Sequence, residues 1–170
     1  APNEERTEQI RGMLRKAALL AHQEGNKSSK PQHAYARAED LYKLYLSAFG
    51  GRLKADDISE VRYYLPDIYS QQEKHQVAAA EFRNILDLAI QGDPAYKKYQ
   101  EQAALGMIFS LDAYFKHQKE KSVSVSEAND LISAIDRYVS IYPKNKDEPK
   151  YLARVSGILV TGKRMDEARP

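Results

Sequence analysis

Apolar side chains recur at spacings of three and four residues in block after block of this chain, and each block ends at a glycine, a proline or a short polar run. This spacing lines one face of an α-helix, which turns once in about 3.6 residues, and differs from the two-residue alternation of a half-buried strand. The blocks are rich in Ala, Leu, Glu, Gln, Lys and Arg, residues with high helix propensity. An all-α chain is therefore predicted.

The first helix is expected over about 4–24, with Ile10, Met13, Leu14, Ala17, Ala18, Leu20 and Ala21 on one face and a stop at Gly25. After the polar run 26–30, Pro31 opens a second helix, whose Ala34, Ala38, Leu41, Tyr42, Tyr45, Leu46 and Phe49 lead to Gly50 and Gly51. The third is expected to start after Asp57, capped by that carboxylate with Glu60 three residues on, and to run through Val61, Leu65, Ile68 and Tyr69. A fourth carries Val77, Ala78, Phe82, Ile85 and Leu86 and closes near Gly92. Asp93 followed by Pro94 is a cap with proline in the first helical position, and opens a long fifth helix reaching about Lys119. Ser124 and Glu127 form a capping box for the sixth, whose Leu131, Ile132, Ile135, Tyr138 and Val139 precede Pro143. The seventh, from about Pro149, leads through Leu152, Val155, Ile158 and Leu159 to a turn at Gly162 and Lys163 and the beginning of an eighth.

With 170 residues, 42% of them apolar and 29% charged, the chain can bury a core. Lys and Arg total 26 against 24 Asp and Glu, so the net charge of +2 supplies no field to draw it onto nucleic acid or an acidic membrane. The basic groups Arg11, Arg15 and Lys16, Lys116, Lys119 and Lys121, and Lys144, Lys146 and Lys150 are interrupted by acids or lie in loops, so no nucleic-acid partner is expected. The apolar runs 17–21 and 158–160 are far shorter than the ~18 residues of a membrane-spanning helix, and a water-soluble chain is expected. The lack of cysteine excludes disulfides and thiolate sites and fits cytoplasm and periplasm equally. Beginning on Ala1 and ending within a helical block, the chain reads as a piece of a longer protein.

Catalytic patterns are missing. His22, His33, His75 and His117 are scattered without paired metal-ligand spacing. The adjacent acids Glu4 and Glu5, Glu39 and Asp40, and Asp56 and Asp57 point to different sides of a helix and make no acid–base pair by themselves. No glycine-rich phosphate loop and no nucleophile elbow occurs. Neither enzymatic activity nor a cofactor is expected.

The blocks pair into four hairpins, at about 4–50, 57–92, 94–143 and 149–170, within one domain. Their design resembles the tetratricopeptide repeat, whose first helix carries a Leu, a small residue and a Tyr, and whose second carries Ala, Phe and Pro. Leu65, Tyr69, Ala78 and Phe82 hold these places in the second hairpin, and Leu105, Gly106, Phe109, Leu131, Ile135 and Pro143 in the third. Leu14, Ala18, Ala38 and Tyr42 fit the first, and Leu152, Val155, Leu159 and Ala168 the fourth. Equivalent places at Leu14, Arg62, Gln102 and Leu152 lie 48, 40 and 50 residues apart, so the repeats exceed the usual length of about 34. The runs 26–30 and 119–123 then read as exposed insertions, and Pro66, in a small-residue place, is expected to kink the third helix or shift its start.

The resemblance implies antiparallel helical hairpins stacked as a short α-solenoid, with Leu65, Tyr69, Ala78, Phe82, Leu105, Phe109 and Ile135 buried. It implies a non-catalytic function, the binding of a partner peptide or helix in a concave groove made by the first helices of successive hairpins. By their places in the motif, Tyr63, Asp67, Ser70, Gln100, Ala103, Met107 and Ser110 should line that groove, joined by Arg15 and Leu19. Tyr63, Asp67, Ala103 and Met107 stand where the chaperone-binding members of the family carry Lys, Asn and Arg, so capture of a C-terminal carboxylate is not expected. Two other readings are an adaptor assembling edge to edge in a larger complex, such as one in a bacterial cell envelope, and, more remotely, an RNA-binding helical repeat.

Overall fold

The computed structural model describes the backbone of residues 2–118 and 125–168 and the side chains of 3–118 and 128–160. Its elements are α1 (Pro2–Lys27), α2 (Gln32–Phe49), α3 (Ala55–Gln71), α4 (His75–Ile90), the single turn α5 (Pro94–Lys97), α6 (Gln100–His117), α7 (Val125–Ile141) and α8 (Glu148–Ala168). A 3₁₀ turn at Gly50–Arg52 joins α2 to α3, and no strand occurs among the described residues. The fold is all-α, as the periodicity predicts.

Several boundaries differ from expectation, each for a local reason. Gly25 does not stop α1. It lies inside the helix and faces the ring of Tyr35, where a Cβ would come within 2.6 Å of Cε1. The glycine permits this contact, and the Tyr35 hydroxyl then donates to Asn26 Oδ1 at 2.9 Å. Helix α3 starts at Ala55, before Asp57, with no side-chain cap, and runs on through the buried Pro66. Glu60 is engaged between helices instead of in a capping box, pairing with Arg15 of α1. At the next start Asp93 caps as expected, accepting from the Ala95 N–H at 3.0 Å. The helix nevertheless lasts one turn before Lys98 and Tyr99 interrupt it and α6 begins. No turn occurs at Gly162 and Lys163, because α8 continues to Ala168, so the fourth block is one long helix instead of a hairpin. The run 26–30 is exposed, while the run 119–123 and Ser124 lie outside the described residues, as does the Glu127 side chain.

Chain neighbours pack together: α1 on α2, α3 on α4, α7 on α8 and, most extensively, α4 on α6. Polar bridges link alternate long helices. On one side Arg15 and His22 of α1 meet Glu60 and Asp67 of α3, Ser70 of α3 meets Ser110 of α6, and Asp112 of α6 meets Arg154 of α8. On the other, Asp87 and Arg83 of α4 pair with Arg137 and Asp130 of α7.

Two apolar clusters lie between these helices. Ala18, Ala21, Ala38, Tyr42, Tyr45, Val61, Ile68 and Ala78 belong to the first, and Phe82, Ile85, Leu86, Met107, Ile108, Leu131, Ile135 and Tyr138 to the second. Helix α4 contributes to both, through Ala78 on one and Ala79 and Phe82 on the other. Of the residues expected inside, Leu65, Tyr69, Ala78, Phe82 and Ile135 are buried, Leu105 is half-buried, and Phe109 is a correction at 54% exposure. Because Ala78 has no exposed surface, Ala78→Leu forces extra volume between α4 and the first cluster and should destabilise by about 1–3 kcal/mol. Chemical denaturation checks this, and an unchanged midpoint would show that α4 has room there.

Candidate functional site

The row formed by α1, α3 and the start of α6 carries a connected set of aromatic and polar side chains. Its geometry begins with Tyr63 and Tyr64, adjacent on α3 and therefore turned to different neighbours. Tyr64 packs on the first cluster and Tyr63 on the second. The ring of Tyr63 stacks on Tyr99, with centroids 4.5 Å apart and planes 12° from parallel. Tyr99 can reach it because the helix is interrupted there. Lys98 lies over the Tyr99 ring at 5.1 Å and reaches Asp56 at 3.3 Å.

Toward α1, Tyr64 donates to Glu60 Oε1 at 3.0 Å, while the other carboxylate oxygen takes the Arg15 guanidinium. His22, buried in α1, has Nε2 3.1 Å from Asp67 Oδ2 and Nδ1 3.5 Å from the Tyr42 hydroxyl. Its ring is met edge-on by Tyr35, Tyr42 and Tyr64 at 5.7–6.2 Å. A proton on Nε2 donated to Asp67 leaves Nδ1 to accept, weakly, from Tyr42. Burial, then Asp67 and Tyr99, raises the pKa of Tyr63, and burial with the hydrogen bond to Glu60 pushes Tyr64 up to about 12. Both phenols are neutral at physiological pH, Tyr64 with its O–H already donating to Glu60. Toward α6, the hydroxyls of Ser70 and Ser110 lie 2.9 Å apart.

The seven groove residues read from the motif therefore divide. Tyr63, Asp67, Ser70 and Gln100 are half-buried at the surface of this row. Ala103, Met107 and Ser110 differ from the expected surface position: at 0%, 2% and 3% exposure they lie inside, against the second cluster and α3. The cause is the rotation of α6, which turns Ala103, Met107 and Ser110 toward α4 and α3; Gly106 faces Phe82 of α4, where a Cβ would come within 2.6 Å of Cζ, and Phe109 stands exposed. Glu39 of α2 is a further acid held by the fold. It is buried and held by Lys43 at 2.6 Å and Lys74 at 2.8 Å, which together keep its carboxyl below the ordinary range against the opposing effect of burial.

Sequence reasoning missed Tyr99 and His22. The signal for Tyr99 was its spacing of three from Tyr96 after Pro94; nothing in the pattern around His22 marked it out.

Fold and row together define an all-helical protein in which polar and aromatic side chains of the described residues join one helix to another. Comparison with protein-family models, curated proteins and solved structures finds no match. No helix among the described residues is long and apolar enough to cross a membrane, and none of their His, Asp and Glu side chains group as three or more metal ligands.

Proposed function

We propose that the chain is a non-catalytic interaction module, a degenerate tetratricopeptide-like array that binds an extended peptide or a helix of a partner protein across α1, α3 and the start of α6. The observation that carries this reading is the Tyr63–Tyr99 stack, with Asp67 on the same helix as Tyr63 and 48% exposed at its side chain. Rigid, partly exposed aromatics supply contact area at little cost in conformational entropy, and the half-exposed Asp67 carboxylate beside them offers an acceptor to a partner's N–H groups. The repeated use of alanine at helix contacts and tyrosine between helices supports the resemblance on which the module class rests.

The test combines partner capture with point variants. Tyr63→Ala should weaken binding of a captured partner by about 1 kcal/mol or more, with helical content by circular dichroism unchanged. Full retention of affinity would sink the reading. An adaptor that assembles through its edges is the second reading, favoured by Leu152, Leu159 and Val160, which leave α8 with exposed apolar side chains. It requires partner affinity to survive Tyr63→Ala and to fall with Leu159→Glu.

A further inference from the structure

The surface between α6, α7 and α8 differs from the row just described in chemistry and in place. There an open groove of about 570 Å³ lies over the buried Ile108, Leu131, Ile135 and Tyr151, and Phe109 stands exposed at its mouth. Among the described residues its charged lining comprises Lys116, Lys150 and Arg154 against Asp112, an excess of two positive charges. Asp112 is already shared: Lys116 Nζ lies 2.7 Å from Oδ2 and Arg154 Nη2 2.6 Å from Oδ1. Lys150 stands 5.9 Å over the Tyr151 ring.

We propose that this groove is a second docking surface, which takes an acidic segment of a partner protein carrying an apolar or aromatic anchor. The commitment to an acidic occupant follows from charge. A carboxylate at the rim gains from Lys150 and from the positive charge that remains with Asp112 shared between Lys116 and Arg154, whereas a basic segment meets the reverse balance. The anchor follows from Phe109, whose exposed ring is covered by one apolar side chain laid beside it, in a cleft of the size that binding sites commonly have. An oligonucleotide would satisfy the cations but carries no apolar side chain to lay beside Phe109. The surface acts independently of the α1–α3–α6 reading and stands even if that row binds nothing.

The test uses the full chain, ¹⁵N-labelled, with three synthetic peptides. One alternates Glu and Asp with Leu and Phe anchors, one replaces its acids by Lys, and one replaces its anchors by Ala. The first should bind with chemical-shift changes centred on Phe109 and Ala153, and the two controls should bind at least about tenfold more weakly. Phe109→Asp and Lys150→Glu, both at exposed positions, should each weaken binding at least about tenfold while Tyr63→Ala leaves it unchanged. Added salt should weaken the complex by screening. Equal binding of the lysine peptide, shift changes centred on α1 and α3, tighter binding of an oligouridylate competitor, or no binding at millimolar peptide overturns the proposal. So does a dimer of the free chain that Phe109→Asp dissociates in sedimentation, because the occupant would then be a second copy.

Discussion

Met107→Ala is expected to lower the stability of the fold by about 2–5 kcal/mol, while Phe109→Ala, two positions on, costs less than about 1 kcal/mol. The contrast is large because these residues exchange the places that the repeat motif assigns them. Met107 is 2% exposed within the second cluster, so its truncation removes buried apolar surface and leaves a void between packed helices. Phe109 is 54% exposed, so much of its ring is already hydrated in the folded state. Denaturant melts of the two variants decide the orientation of α6 without a ligand. Comparable losses, or a larger loss at Phe109, would restore the motif's placement and put Ala103, Met107 and Ser110 back at the surface.

The helices themselves were legible because most carry one apolar stripe with a clear stop. Pro31, Asp93 with Pro94, and Pro143 act through backbone geometry that needs no distant partner, and the structure uses each at or within two residues of a helix end. Orientation was harder to read wherever a helix is covered on more than one side. Ala103, Ala104, Met107, Ile108, Leu111 and Phe115 are all buried on α6, which packs on both α4 and α7, so its apolar positions wrap too far round the helix to define a single face. A literal Leu105-Gly106 pair then fixed a motif phase that tertiary packing does not follow. On α3, where buried Val61, Leu65, Ile68 and Tyr69 leave Tyr63, Asp67 and Ser70 only partly covered, the same reasoning found the surface correctly.

The site was legible to the same degree. Tyr63 and Asp67 follow from the phase of one well-defined helix, but their partners come from elsewhere: Tyr99 from a helix break and His22 from a helix 45 residues away in sequence. Glycines show the same limit. Gly25 and Gly51 look alike as stops in the sequence, yet Gly25 lies within α1 because Tyr35, from the next helix, needs its missing side chain. Such a residue is read correctly only once the ring that covers it is known.

The other glycine of this kind supplies the second large effect. Phe82→Ala is expected to destabilise by about 3–5 kcal/mol, since the ring is 6% exposed and fills the space between α4, Tyr63 of α3 and the backbone of α6 at Gly106. Gly106→Leu alone should also destabilise, by about 1–3 kcal/mol from overpacking, with the better helix propensity of leucine returning at most about 1 kcal/mol. The double variant separates a true contact from two independent injuries. If Phe82 and Gly106 share one volume, the leucine enters the space the ring has left, and the pair is less destabilised than the sum of the singles by about 1–3 kcal/mol. Additive losses within about 0.5 kcal/mol would mean that the two sites do not touch. The close approach of α4 and α6 at Gly106 would then need another account.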